Sequence, residues 1–193
     1  EVADRIVFMD SGEIVEIGGD HLDAAGYDFL GLIIGSEGQL GIVTEATVRL
    51  LKAPEGARPM LLGFSSSEAA GACVAAIIAA GIIPVALEFM DRHAIHVCEN
   101  LAHAGYPLDV EALLIVELEG SEDEIDNLLA TITEIAQDYA PMVIRISQSA
   151  AESAGIWKGR KAAFGAFGQI SDYYCMDGTI PLSKLPEART EVG

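Results

Sequence analysis

The alternation of hydrophobic and polar residues predicts strands through most of the first fifty positions. The segment RIVFMDSGEIVEIGG predicts two strands joined by a turn at Asp10–Gly12. The segment GLIIGSEGQLGIVTEATVRLL predicts a strand, a glycine loop and another strand. The last of these is expected to be half-buried because two sets of residues alternate along it: Ile42, Thr44, Ala46, Val48 and Leu50 against Val43, Glu45, Thr47 and Arg49.

After residue 60, the spacing of hydrophobic residues predicts helices between the strands. Residues 60–64 predict a short apolar strand, and Ser65 with Glu68 matches a capping box at the start of a helix that Gly81 ends. Residues 85–90 predict the next strand. The amphipathic helix that follows has an apolar face of four residues: Ile95, Cys98, Leu101 and Ala102.

The same order of elements then recurs. Residues 112–120 predict a strand, Ser121 and Glu124 form a second capping box, and the strand MVIRIS follows a helix that Pro141 ends. The stripe of that helix predicts its buried side: Ile125, Leu128, Leu129, Ile132, Ile135 and Ala136. Two similar strand–helix–strand units predict a ferredoxin-like α+β domain, in which helices cover one face of an antiparallel sheet.

The chain divides most naturally near Lys52–Pro59, where two prolines and a glycine predict a linker. Residues 1–53 are therefore expected to belong to one domain and residues 54–193 to another. The chain of 193 residues begins with Glu1 and stops in what resembles the start of a helix. We expect it to be an internal piece of a longer polypeptide.

Charge excludes one class of partner. Lys and Arg number 11 against 30 Asp and Glu, a formal net charge of −19, whereas phosphate backbones require a surplus of cations. Nucleic acid is therefore not expected to bind. Ten acidic residues and no basic one lie between Tyr106 and Ile144, which indicates either a solvated helix face or a docking surface for a basic partner.

Cysteine usage and hydropathy indicate a cytoplasmic protein without a transmembrane segment. The three cysteines form no CxxC pair, which is typical of a reducing compartment. Residues 69–87 lack charge and are long enough to span a bilayer. Gly81 and Pro84 interrupt them, so a buried helix and a buried strand are expected instead.

Three groups of residues are candidates for chemistry. The loop GSEGQLG, Gly35 to Gly41, is either a plain turn or a place where a ligand approaches backbone N–H groups. Trp157, Arg160 and Lys161 lie in a basic cluster that either is solvated at a helix end or binds an anion. The third group is a weaker metal hypothesis, resting on three histidines near one another in sequence: His93, His96 and His103.

In their order along the chain, several segments resemble the FAD-linked oxidase family. They are YDFLGLIIGSEGQLGIVTEATVRLL, IIPVALEFMDRHAI, WKGRKAAFGAFG and DYYCMDGTIP, and they lie across most of the sequence. The resemblance is strongest to the glycolate-oxidising members, with D-lactate and D-2-hydroxyglutarate dehydrogenases as relatives. It implies that residues 1–53 end a flavin domain of the vanillyl-alcohol-oxidase type and that residues 54–193 form most of the substrate-side domain.

The resemblance also implies a cofactor, FAD. The residues expected to line it, mostly through backbone atoms, are Gly35, Ser36, Glu37, Gly38, Gly41, Ile42 and Val43. It implies hydride transfer from a small 2-hydroxy acid to the flavin, with Arg160 binding the substrate carboxylate. Phe164 and Cys175 stand where the 2-hydroxyglutarate enzymes carry polar residues, which favours a monocarboxylic substrate such as glycolate or D-lactate.

Other parts of such an enzyme are expected outside these residues. The resemblance implies that the main pyrophosphate loop precedes Glu1 and that a histidine-bearing segment for a divalent metal and catalysis follows Gly193. Residues 1–193 alone are therefore expected to be inactive. Implied partners are other oxidase subunits, one an iron–sulfur protein, through which the protein would associate peripherally with a membrane. The alternative hypothesis is a non-catalytic α+β binding module.

Overall fold

The structure is a computed structural model of the chain, and it describes residues 3–10, 13–18, 26–50, 52–175, 178–181 and 184. Their contacts divide the chain into two compact units, Glu1–Ala53 and Pro54–Gly193. The boundary falls inside the proline-containing segment that predicts a linker. That segment is shorter than expected, because the first strand of the second unit begins at Gly56.

The first unit contains a three-stranded antiparallel sheet in the order β2-β1-β3. Its strands are β1 (Ala3–Asp10), β2 (Glu13–Gly18) and β3 (Ile42–Val48). The three strands match the sequence prediction, and the turn predicted at Asp10–Gly12 lies partly outside the described residues.

The prediction of a strand before the glycine loop is wrong. Phe29–Ile33 form a short helix, α1, because the Asp28 side chain caps it by accepting a hydrogen bond from the Gly31 N–H at 2.9 Å. The apolar, β-branched run favours a strand in sequence, whereas this local cap favours the helix.

The half-buried face predicted for β3 is also wrong. Every residue of β3 is exposed on both sides of the strand, because no described element of this unit covers either side. The short helix α1 contacts β1 and β2. Alternation along a strand predicts which side chains share a face but does not supply the layer that would bury it.

The second unit follows the ferredoxin-like prediction in its sheet. The strands are β4 (Gly56–Phe64), β5 (Ala86–Asp91), β6 (Ala112–Gly120) and β7 (Val143–Ile146), in the antiparallel order β5-β6-β4-β7. The helices are α2 (Ser67–Ala79), α3 (Arg92–Ala102), α4 (Glu122–Gln137), α5 (Ala150–Lys161) and α6 (Ala163–Gly168).

Helices cover both faces of this sheet, which corrects the one-face prediction. On one face, Met60 and Leu62 pack in a core with Ile77 of α2 and Ile132 of α4. On the other face, Leu61 lies in a second core, which contains Leu113, Ile115, Ile95 of α3 and Ile156 of α5. The central strands are apolar on both sides, as strands buried between two layers require.

The helix ends show how closely local signals define boundaries. At the start of α4, the Glu124 carboxylate accepts hydrogen bonds from the Ser121 N–H and hydroxyl, which confirms the predicted capping box. The cap of α2 is Ser66 rather than the predicted Ser65. Gly81 ends α2 with φ +80°, as predicted.

The predicted apolar faces are confirmed except at one position. Every residue in the predicted stripe of α4 is buried or packs against the first core. In α3, Leu101 is 39% exposed and lies outside both cores, whereas the other three residues of the predicted face are buried. Among the described residues, none of the helices has the length and apolar character needed to cross a bilayer.

Candidate functional site

The glycine loop of the first unit has an unusual backbone. Four consecutive loop positions carry three positive φ angles: +84° at Gly35, +51° at Glu37 and +79° at Gly38. The Gln39 N–H donates to the Ser36 carbonyl at 3.0 Å, so residues 36–39 form a tight turn with left-handed conformations at both central positions. This geometry is typical of a type I′ turn and explains the need for glycine at position 38.

Part of the loop backbone has no hydrogen-bond partner, and its glycines border open space. The N–H groups of Gly35, Glu37 and Gly38 have no hydrogen-bond partner within the part of the chain that the structure describes. A Cβ placed on Gly35 or Gly38 would meet no atom within 4 Å. Unbonded backbone N–H groups in a turn of this kind can bind an anionic group.

A shallow cavity of about 420 Å³ lies at this loop. Its lining includes Leu32, Ile34, Gly35, Ser36, Glu37, Gln39 and Leu40, so apolar side chains and polar backbone share one surface. Gly38, Gly41, Ile42 and Val43 are in the predicted cofactor set but are not in this lining. Ile42 and Val43 begin β3 and are 68% and 47% exposed.

The basic cluster of the second unit forms the last turn of α5. The Arg160 Nε donates to the Glu88 carboxylate of β5 at 2.9 Å, and both side chains are about one third exposed, at 32% and 34%. One turn earlier, the Trp157 indole N–H donates to the Glu117 carboxylate of β6 at 2.7 Å. Two acidic residues of the sheet therefore hold the basic helix end.

Sequence reasoning did not single out Glu88 and Glu117. Ala86 pairs with Glu117 between β5 and β6, and Glu88 lies two residues beyond Ala86. The two carboxylates are therefore diagonal neighbours on one face of the sheet. The available signal was a carboxylate inside an otherwise apolar run: Glu88 in VALEFM, and Glu117 between Val116 and Leu118 in ALLIVELEG.

A buried tyrosine fixes α5 from the side facing the sheet. The Tyr106 hydroxyl donates to the Ile156 carbonyl, and the Tyr106 side chain is buried. Burial raises the pKa of Tyr106 to about 12, while the backbone N–H of Arg160 opposes that rise. The phenol therefore lies against the turn of α5 that carries Arg160.

Cys98 is a further titratable group in the second core. Burial raises the pKa of its thiol, and the positive charge of Arg160 partly opposes this rise. Because α3 carries Cys98 and α5 carries Arg160, this effect reflects the packing of the two helices. The thiol remains protonated near neutral pH and provides no nucleophile.

The positions that the sequence associates with substrate size are exposed. Phe164 in α6 is 56% exposed, and its ring centroid lies 6.2 Å from that of Tyr173. Cys175 is also exposed. Residues 171–175 have no regular secondary structure.

The described residues provide no set of metal ligands around the histidines, and part of the acidic stretch is already paired within the chain. Among the described residues, no group of three or more metal-ligating side chains comes together, and the His96 ring contacts the Leu108 carbonyl instead. His21 lies outside the described residues. Part of the acidic stretch is paired internally, since Arg58 contacts Glu122 and Asp126.

The chain belongs to the family of FAD linked oxidases, C-terminal domain, whose model matches residues 53–192. It is 48% identical over 176 residues to the glycolate oxidase subunit GlcD of Escherichia coli K12, covering 91% of this chain and 35% of that protein. It is 34% identical to the GlcD subunit of Bacillus subtilis, covering 93% and 38%. The probable mitochondrial D-lactate dehydrogenase of Danio rerio is 30% identical, with 87% and 34% covered.

Solved structures support the fold. An alkyldihydroxyacetonephosphate synthase matches with a TM-score of 0.64 at 17% identity, covering 88% of this chain and 34% of that one. A p-cresol methylhydroxylase matches with a TM-score of 0.62 at 13% identity, covering 86% and 40%. The predicted α+β fold class and the resemblance to FAD-linked oxidases are confirmed. The chain spans about a third of the length of the curated relatives it matches.

Proposed function

We propose that this chain is part of a flavin-dependent enzyme that oxidises a small 2-hydroxy acid, such as glycolate or D-lactate, to the 2-oxo acid. The observation that carries the proposal is the 48% identity to a glycolate oxidase subunit over nine tenths of this chain. The relatives named as D-lactate dehydrogenases support the same substrate class.

The glycine loop fits the cofactor that this proposal requires. Unbonded N–H groups at Gly35, Glu37 and Gly38, with no side chain above the two glycines, suit a phosphate-bearing ligand. Ser36 adds a hydroxyl, and Gly41, Ile42 and Val43 complete the proposed set along the entry to β3. When bound, FAD would supply a hydride acceptor at its flavin N5.

Arg160 is proposed to bind the substrate carboxylate. A guanidinium can contact both carboxylate oxygens at once, which orients the substrate as well as attracting it. The phenyl ring of Phe164 and the thiol of Cys175 offer no charge for a second carboxylate, which supports a monocarboxylic acid. No residue of this chain is proposed as the catalytic base, so residues 1–193 alone are expected to be inactive.

The proposal extends to domains, partners and location. Residues 1–53 would end the FAD-binding domain, and residues 54–193 would form most of the substrate-side domain. A divalent metal, if used, would be bound by residues outside this chain. Other oxidase subunits, including an iron–sulfur subunit, and a cytoplasmic location with peripheral membrane association belong to the same proposal.

The test uses the flavin-containing protein that carries this chain. Anaerobic titration with glycolate and with each lactate enantiomer should bleach the flavin absorbance for at least one of these acids. Arg160→Ala should lower kcat/KM for that acid at least a hundredfold, since a charged bidentate contact is lost, while the flavin content stays unchanged. A flavin that none of these acids reduces would contradict the proposed reaction.

A further inference from the structure

Arg160 is held by one atom of its guanidinium. Its Nε donates to Glu88, and this is the single hydrogen bond of the Arg160 side chain to any residue that the structure describes. The two terminal nitrogens, Nη1 and Nη2, are therefore uncommitted among those residues. They form the end of the guanidinium that can meet both oxygens of a carboxylate in one plane.

We propose that Glu88 is a positioning residue for the substrate carboxylate. By accepting the Nε hydrogen bond, Glu88 sets the plane of the Arg160 guanidinium and leaves its terminal nitrogens for the substrate. The inference rests on the proposed function and adds to it the residue that orients the anion-binding group.

The physical basis is preorganisation. A free arginine side chain samples many rotamers, and a ligand that orders it loses binding free energy to that ordering. Glu88 orders the side chain in the folded protein, before substrate arrives. An arginine fixed in this way also presents a defined plane, which an unanchored one does not.

The surroundings support this role by fixing the helix as well as the side chain. The indole of Trp157 is hydrogen-bonded to Glu117 at 2.7 Å one turn before Arg160. The phenol of Tyr106 is hydrogen-bonded to the Ile156 carbonyl in the same stretch of α5. The backbone of α5 is thereby tied to the sheet side, and the bond to Glu88 fixes the remaining freedom of the Arg160 side chain.

A competing role for Glu88 makes the opposite prediction. If its carboxylate competed with the substrate for Arg160, removing it would strengthen substrate binding. If it positions Arg160, removing it weakens binding of acids and leaves binding of uncharged analogues unchanged. The sign of the effect therefore separates the two roles.

The experiment compares glycolate with glycolamide, its uncharged amide, as substrates of the flavin-containing protein. Glu88→Ala should raise KM for glycolate about tenfold, which corresponds to about 1.4 kcal/mol, and leave KM for glycolamide unchanged. Glu88→Gln keeps an oxygen acceptor and should stay within about threefold of the original KM. In an Arg160→Ala background, Glu88→Ala should have no further effect, because the group it positions is gone.

Two more variants complete the set. The acid preference is the ratio of KM for glycolamide to KM for glycolate. Arg160→Lys should lose this preference, as Arg160→Ala does, because a single ammonium cannot bind Glu88 and also contact both carboxylate oxygens. Glu111→Ala removes a carboxylate that pairs with Arg92 elsewhere on this unit and should leave the preference unchanged. If Glu88→Ala does not fold, Glu88→Gln still tests the acceptor at position 88, and Arg160→Lys tests the two-nitrogen contact that the inference requires.

Several results would overturn the inference. These are a lower KM for glycolate in Glu88→Ala, an equal loss for acid and amide, full additivity with Arg160→Ala, or an undiminished acid preference in Arg160→Lys. If Arg160→Ala abolishes the acid preference while Glu88→Ala does not, positioning fails and the proposed function survives. A protein that oxidises no 2-hydroxy acid would overturn both.

Discussion

Gly159 faces the ring of Tyr106 so closely that a Cβ on Gly159 would lie 2.5 Å from three atoms of the phenol. The absence of a side chain at position 159 therefore allows α5 to pack against Tyr106. Gly159→Ala should lower the free energy of unfolding by about 1–3 kcal/mol, the usual cost of overpacking a core. Urea unfolding followed by the fluorescence of Trp157, the sole tryptophan, measures it.

Gly155 provides the matched control for that substitution. It lies one turn earlier in α5, and a Cβ there would meet no atom within 4 Å. Gly155→Ala should raise the free energy of unfolding by about 0.5–1 kcal/mol, because alanine loses less backbone entropy in a helix. Equal effects at the two glycines would show that the contact with Tyr106 is not the cause.

Tyr106 should make the protein sensitive to alkali. Its pKa of about 12 in the fold lies above the ordinary value of 10.0, so the folded state favours the neutral phenol. The stability that the neutral phenol contributes is fully present below pH 10. It is lost as pH rises to about 12, which lowers the free energy of unfolding by about 2–3 kcal/mol. Tyr106→Phe should remove this part of the pH dependence, as unfolding curves at pH 9 and pH 11 can measure.

The control for this prediction is Tyr174→Phe, since Tyr174 is 88% exposed. That variant should keep the same loss of stability between pH 9 and pH 11 as the unsubstituted protein. A Tyr106→Phe variant with an unchanged alkaline loss would contradict the assignment.

The three cysteines should differ in reactivity. Cys73 and Cys98 are buried and Cys175 is exposed. Burial raises the pKa of Cys73 to about 11, so its reactive thiolate is scarce near pH 8. A thiol reagent should modify one cysteine quickly in the native protein and three after unfolding. Cys175→Ser should abolish the fast phase, and a fast phase that persists would contradict the described burial.

The capping box of α4 predicts a response to acid. Hydrogen bonds from the Ser121 backbone N–H and hydroxyl lower the pKa of Glu124 below its usual value of 4.5. Stability from the charged carboxylate is therefore present above pH 4.5 and is lost as pH falls through the lowered pKa. The Tm should therefore fall as the pH is lowered, and Glu124→Gln should make this fall smaller. Glu134→Gln, an exposed change on the same helix, should leave the fall unchanged.

The glycine loop offers a test that separates a plain turn from a cofactor contact. Asparagine tolerates the positive φ of Gly38 better than other residues do, so Gly38→Asn should change the Tm little. Its side chain would occupy the open space above the loop and should lower flavin content severalfold, measured by flavin absorbance per mole of protein. Full flavin content in this variant would favour the plain turn.

Sequence reasoning was most accurate where the determining interactions are local. The Ser121–Glu124 box and the stop at Gly81 depend on residues within one turn, and both are confirmed. Two errors came from competing local signals: Ser66 in place of Ser65 as the cap of α2, and the Asp28 cap that makes Phe29–Ile33 a helix. The other errors, the burial of β3 and the faces of the sheet that helices cover, concern how elements pack against one another.

Sequence alone was enough to predict the strands of the second unit with the helices between them up to β7, the apolar stripe of α4 and the conformational need for glycine in the loop. Helical period, side-chain caps and backbone sterics all act over a few residues. The cover of helices on both faces of the sheet and the contact between Glu88 and Arg160 required the folded structure. Those two residues are 72 positions apart, and their meeting depends on how β5 and α5 pack, which no local pattern encodes.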